Sequence, residues 1–177
     1  MSLVLNGNGI TSANIADGAI TNADIADDAI TDAKLASGGG KVLQVVQANY
    51  NSQLTNSTST YANTGFSVTI TPSSTTSKIL ITVNGGSPFN STTDDSLECT
   101  IYRGATDISP VVGQPLSRLY HAGATGLIAP HSMSILDAPA STSAIVYSPF
   151  FKGTATNNVY FNLVNYTVTI TAMEIGV

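Results

Sequence analysis

His121 and His131 are the only histidines, and Cys99 is the only cysteine. Neither histidine has a Cys, His or carboxylate at metal-ligand spacing, so the sequence offers no zinc site. A serine nucleophile needs a base and an orienting acid. His131 with Asp137 would supply them, but a chain this rich in Ser produces such trios by chance. Cys99 alternates with Leu97 and Ile101, which reads as a core position and not as a reactive thiol. Asp94-Asp95 is the only adjacent carboxylate pair beyond the first forty residues, and cleaving a glycosidic bond needs two carboxylates facing each other across a groove. Gly38-Gly39-Gly40 lacks the following GK[ST] and helix of a phosphate loop. Asp17, Asp24, Asp27, Asp28 and Asp32 would hold calcium only if several chains brought them together; read alone they are solvated turn residues. Asn56-Ser57-Thr58, Asn90-Ser91-Thr92 and Asn165-Tyr166-Thr167 match the glycosylation pattern. Taken together these residues predict no catalysis, no cofactor and no metal.

Composition narrows the classes further. Only 10% of the 177 residues are charged, with a formal charge of −5, against about 25% charged in ordinary soluble domains. Ser, Thr, Asn and Gln must therefore make the polar surface, which suits Thr-lined sheets and surfaces covered by other chains. The acidic balance and the scattered Lys34, Lys41, Lys78, Arg103, Arg118 and Lys152 argue against nucleic acid and against anionic membrane. An intrachain disulfide is impossible with one cysteine. Met1-Ser2-Leu3-Val4-Leu5 shows neither a secretory signal nor a membrane span.

The elements that must position any site follow two grammars. Residues 10–37 read ITSANIADGA, ITNADIADDA, ITDAKLAS, a ten-residue unit with a five-residue beat at Ile10, Ile15, Ile20, Ile25, Ile30 and Leu35. On a helix at about 100° per residue each beat lands about 140° from the last, so no apolar stripe forms. On a flat strand an odd spacing alternates faces. A period of five suits a chain that turns regularly and sends one apolar residue inward per short edge, with Ala allowing close approach and Asp, Asn and Gly making turns. One Ile or Leu per five residues is little apolar area against the backbone entropy of ordering each residue. The segment is therefore expected to order when chains wrap each other or dock on a partner; the plainer alternative is a flexible low-complexity tail. Ser37-Gly38-Gly39-Gly40 ends it with a flexible joint, which sets the expected domains at 1–40 and 41–177.

From Lys41 onward the pattern is strand after strand. Phe66/Val68/Ile70, Ile79/Ile81/Val83, Leu97/Cys99/Ile101 and Met133/Ile135 alternate with polar residues. Val42–Val46, Ile145–Phe151, Val159–Val164 and Thr167–Ile175 complete about eight strands, and no stretch reads as a good helix. The expected class is all-β, a C-terminal β-sandwich or jelly roll preceded by an extended repetitive stalk. Apolar residues on both faces of the last strand, Val168/Ile170 and Met173/Ile175, predict a central strand or an inter-subunit contact. The segment Val111–Pro130, with Arg118, Tyr120 and His121, reads as a polar loop that contacts glycan or protein, or alternatively packs in an oligomer. Asn84–Asp95 reads as a second such loop.

Two resemblances attach to these residues. The pentads ANIAD, GAITN and ADIAD resemble the pentapeptide-repeat pattern, although Gly18 and Asp28 depart from it. The decad IT-x-A-x-IAD-x-A is more similar to stalk repeats of phage tail-fibre proteins. In the body, Ser73–Ile81, Ile101-Tyr102-Arg103-Gly104, Leu136–Ser143 and Ile170–Ile175 resemble, in order along the chain, a phage virion domain similar to the trimeric jelly rolls of the tumour-necrosis-factor and complement-C1q type. The absence of a visible export signal fits assembly in a host cytoplasm, and the resemblance implies a homotrimer and a role in the virion, as a fibre or a surface decoration. It also implies attachment to other virion proteins through residues 1–40, where Ile10, Ile15, Ile20, Ile25, Ile30 and Leu35 would carry the stalk contact. Arg118, Tyr120 and His121 then become candidate host contacts. A short tail fibre is the leading expectation, a capsid decoration or cement trimer the runner-up, and a carbohydrate-cleaving spike the third.

Overall fold

The computed structural model describes residues 16–26, 41–90, 95–122, 127–155, 157–164 and 166–176, excluding the side chains of Asn22 and His121. The chain divides into two units, Met1–Gly38 and Gly39–Val177.

In the first unit the described window turns every five residues. Ala19 N–H donates to the Ala16 carbonyl and Asp24 N–H to the Thr21 carbonyl, each at 3.0 Å. The second turn is a 3-10 turn over Asn22–Asp24. The Asp24 carboxylate closes it by accepting from the Thr21 amide at 2.9 Å and its hydroxyl at 2.7 Å. Those bonds hold the exposed Asp24 carboxyl below its ordinary pKa. Gly18 supplies the positive φ of 77° in the first turn.

The second unit is an all-β sandwich. Its strands among the described residues are β1 (Val42–Tyr50), β2 (Leu54–Asn56), β3 (Ala62–Asn63), β4 (Val68–Ile70), β5 (Lys78–Gly85), β6 (Phe89–Asn90) and β7 (Asp95–Arg103). They continue with β8 (Thr106–Asp107), β9 (Ser117–His121), β10 (Leu127–Ile128), β11 (His131–Asp137), β12 (Ile145–Gly153), β13 (Val159–Asn162) and β14 (Val168–Ile175). One sheet has the order β1-β14-β5-β11; the facing sheet runs β3-β12-β7-β8, with β4 also paired to β12 and β9 to β7. Numbering only the principal strands β1, β4, β5, β7, β9, β11, β12 and β14 from first to eighth, the sheets read 1-8-3-6 and 2-7-4-5, the jelly-roll connection. All pairings are antiparallel. The small sheet β10-β6-β13-β2 contributes Val159 and Phe161 to the core.

Alternation builds the core. Ile79, Ile81 and Val83 of β5, Val168, Ile170 and Ala172 of β14, and Leu97, Cys99 and Ile101 of β7 all point between the sheets and are buried. Phe151 and Tyr147 meet them from β12. At one end an ion pair bridges the layers. Arg103 of β7 donates to both oxygens of Asp137 on β11, at 3.0 and 2.9 Å, and the Tyr147 hydroxyl donates to the same carboxylate at 2.7 Å.

Two expectations are corrected here. The segment holding Arg118, Tyr120 and His121 is not a loop: Ser117–His121 is strand β9, paired to β7 from Asp95↔His121 to Cys99↔Ser117. The stretch from Asn84 to Asp95 is likewise not one loop, because β5 runs to Gly85 and Phe89–Asn90 pairs with β13.

Candidate assembly and contact surfaces

The two outer faces of the sandwich differ in what covers them. On the β1-β14-β5-β11 sheet the outward residues form rows across all four strands. Asn49, Thr169, Asn84 and Ser132 make one row; Gln47, Thr171, Thr82 and Ser134 make the next. The following row is apolar from edge to edge: Val45, Met173, Leu80 and Leu136. Val42 and Ile175 extend it toward the end of the sheet, and Lys78 beside Ile175 is the only charged residue on this face among those described. Val42, Val45 and Leu136 are 54%, 55% and 53% exposed, so a large apolar band meets solvent in the single chain. Of the two alternatives that the apolar faces of the last strand offered, a central position or an inter-subunit contact, the first matches the place of β14 between β1 and β5.

The opposite sheet covers its own outer face. Ser96, Glu98 and Thr100 of β7 point outward yet are buried, because long side chains from neighbouring strands lie over them. Glu98 gathers two cations, Lys152 at 3.3 Å and Arg118 at 3.6 Å. Arg118 also donates from Nε to the Ser96 hydroxyl at 2.8 Å. The Lys152 ammonium sits 4.6 Å from the Tyr61 ring centroid, Tyr61 tilts against Tyr102, and Tyr102 stacks on Phe150 at 3.9 Å. Burial and the Glu98 charge push the Tyr61 phenol pKa upward. The rings are largely turned to each other. What this face presents outward is Arg118 stacked over Tyr120 at 5.5 Å, with Tyr120 49% exposed, together with Val146 of β12 at 41%. A guanidinium over a phenol ring can meet sugar hydroxyls, carboxylates or a protein surface. By strand alternation Arg118 and Tyr120 share this outer face; the His121 backbone pairs with Asp95 at the end of β9, and its side chain lies outside the described residues.

The residues weighed for catalysis are structural. His131 and Asp137 lie on one face of β11 six residues apart, about 20 Å at the rise of a strand, so they do not form a catalytic pair. His131 is buried, stacks on Phe161 at 4.3 Å and donates from Nε2 to the Phe161 carbonyl at 2.8 Å. Burial lowers its pKa to about 4 against the lesser opposing effect of that bond. Cys99 is buried, and burial raises its thiol pKa. Asp95 is buried with Oδ1 accepting from Ser96, Thr154 and Ala155; its neighbour Asp94 lies outside the described residues. Asn56 is buried with its amide on the Phe151 carbonyl, and Asn90 is buried too, so neither suits a glycan acceptor. Among the described residues there is no group of three His, Cys, Asp or Glu able to hold a metal, and no helix is long and apolar enough to cross a membrane.

Of the repeat positions, Ile20 and Ile25 are described and lie 55% and 41% exposed. Ile10, Ile15, Ile30 and Leu35 lie outside the described residues, as do Asp27, Asp28 and Asp32. One buried charge escaped the sequence reading altogether. Glu174 is fully buried on the inward face of β14, where Ser73 donates from its amide at 2.7 Å and its hydroxyl at 2.6 Å, and Gln44 donates at 2.6 Å. Burial alone would raise its pKa, but these bonds outweigh it and hold the carboxyl at about 2.

No family model matches the chain, and no curated protein does. Among solved structures, the infectious bursal disease virus VP2 subviral particle superposes with a TM-score of 0.42 at 14% identity, covering 75% of this chain and 33% of that one. The T13 particle of the same virus gives 0.40 at 10% identity, covering 76% and 38%. The chain thus spans about a third of the length of these capsid proteins. At that level of superposition and identity the likeness assigns no role to this chain.

Proposed function

We propose that this chain is a structural component of a phage particle, a homotrimer whose jelly-roll body self-associates through the outer face of the β1-β14-β5-β11 sheet. The observation that carries this reading is the apolar row Val45–Met173–Leu80–Leu136 on a face with a single charge. A monomer would leave that band in water, whereas the other sheet covers itself with its own side chains. The decad repeat and the ordered resemblance along residues 41–177 support the placement in a virion. Residues 1–40 serve as the arm that docks on other virion proteins. The Arg118–Tyr120 pair is the part of the head that meets a host-surface glycan or protein. A short tail fibre is the specific form proposed.

Light scattering on the whole chain tests the assembly. The expected mass is three times the 18.2 kDa of one chain, and Leu136→Lys with Val45→Lys should reduce it to a monomer, since each buries an unpaired charge. A monomeric mass for the unaltered chain would refute the reading. Gold labelling of intact particles tests the location: label on the tail is the expected result, and label spread over the capsid would replace the fibre by a decoration trimer.

A further inference from the structure

Between β8 and β9 the chain makes a turn whose construction is out of proportion to a connection. Ile108 N–H donates to the Ile101 carbonyl at 3.3 Å and Leu116 N–H to the Cys99 carbonyl at 2.8 Å, tying both ends to β7. Asp107 pins the middle. Its Oδ1 accepts from Ser109 N–H at 2.9 Å and its Oδ2 from Gly113 N–H at 3.0 Å. Ser109 Oγ donates to the Val111 carbonyl at 2.9 Å. Gln114 N–H also donates to that carbonyl at 2.9 Å, closing a turn with Gly113 at φ 83° in its third position, the geometry that demands glycine there. Pro110 and Pro115 flank the turn. All this rigidity presents Val111 and Val112, 63% and 79% exposed, to solvent. Neither valine side chain takes part in the bonds that shape the turn.

We infer that the Val111–Val112 turn is a preformed knob that seats on the apolar row Val45–Met173–Leu80–Leu136 of a second copy of this chain. The inference rests on the trimer proposed above and specifies its contact. The knob and the row cannot meet within one chain, because the turn leaves the sheet that contains β7, β8 and β9, while the row faces away from that sheet. No charged residue lies between Ile108 and Ser117, so the two surfaces join without stranding a charge. The four-stranded face measures about 19 by 26 Å at ordinary strand spacing and rise. That is about 500 Å² in projection before side-chain relief for the whole face, of which the knob covers only a part, so residues flanking the knob must complete the roughly 800 Å² per partner of a stable interface. Two different patches on identical chains make a head-to-tail contact, which closes into the proposed trimer when each contact turns the chain by about 120° and otherwise runs on as a filament. Holding the turn rigid beforehand lowers the ordering cost of docking.

The test uses the full-length chain. V111S/V112S is expected to weaken trimer association at least tenfold, about 1.4 kcal/mol, in concentration-dependent sedimentation, with unchanged circular dichroism. Cys99 is buried, so engineered cysteines report alone. V112C/M173C treated with a short bis-maleimide is expected to yield linked dimers and trimers, and either single variant none. A trimer as tight in V111S/V112S as in the unaltered chain overturns the knob and leaves the sheet-face reading standing. Weakened association without a V112C/M173C cross-link overturns the seat. Cross-linking of V112C alone overturns the head-to-tail arrangement in favour of a two-fold one. A monomeric unaltered chain overturns both this inference and the trimer beneath it.

Discussion

Glu174 and His131 are both buried in the sandwich and both titrate far from their ordinary values, for opposite balances of the same forces. Glu174 receives donors from Ser73 and Gln44 that stabilise its charge, while for His131 burial outweighs the single carbonyl bond that would favour its cation. His131 therefore stays neutral in the folded chain down to about pH 4, whereas an unfolded histidine takes up its proton near 6.5. Acidification thus favours the unfolded chain, and stability present above pH 6.5 is lost as pH falls through that window. The expected loss between pH 7 and pH 5 is about 2 kcal/mol from this residue. Urea unfolding at both pH values should show it in the parent chain and not in His131→Gln, which keeps a donor for the Phe161 carbonyl. Glu174→Ala should cost about 2 kcal/mol in the same assay at neutral pH, because it removes the charge-assisted hydrogen bonds from Ser73 and Gln44. The sequence made Cys99 legible as a core residue through its alternation with Leu97 and Ile101. It hid Glu174, because hydrophobicity assigns a glutamate outward and only the distant Ser73 and Gln44 make its inward position tolerable.

At the scale of elements, legibility followed length. Strands long enough to show a period of two, such as β5 and β7, were read from Ile79/Ile81/Val83 and Leu97/Cys99/Ile101. Pieces of two or three residues, β3, β6, β8 and β10 among them, carry no period and exist because a neighbour pairs with them. Strand β9 shows the same limit: Ser117–His121 sits between Pro- and Gly-rich stretches and looked like a loop, and its five-residue pairing with β7 decides otherwise. The candidate surface was half legible. Met173 and Ile175 signalled an apolar outer face on the last strand, but the row they join depends on the registers Val45↔Met173, Met173↔Leu80 and Leu80↔Leu136, which no local pattern encodes. Gly85 ends β5 at φ 89°, and a Cβ there would lie 2.5 Å from the Thr167 carbonyl oxygen. Gly85→Ala is expected to cost about 3 kcal/mol or more, from combined backbone strain and that clash. A fall in melting temperature of only a degree or two would contradict it.

For the whole molecule, the repeat and the body are proposed to behave as separate folding units divided near Gly38–Gly40. A fragment beginning at Lys41 should keep a cooperative thermal transition, and a peptide of residues 1–40 should show none by itself, since Ile20 and Ile25 stand largely in water in the single chain. A cooperative melt of the isolated peptide would argue that the repeat orders without partners. The five-residue beat was visible in the sequence, and turns five residues apart at Ala16–Ala19 and Thr21–Asp24 accompany it in the described window.

The near-absence of charge on the β1-β14-β5-β11 face also has a kinetic side. Charged partners are drawn together from a distance, and salt slows them. Two surfaces made of Thr, Ser, Asn and apolar side chains exert no such pull, so copies must find each other by unsteered diffusion, at roughly 10⁵–10⁶ M⁻¹s⁻¹. The speed of assembly would then answer to how much chain the cell makes and hardly at all to its ionic strength, and a lone copy at micromolar concentration would wait on the order of seconds for its first partner.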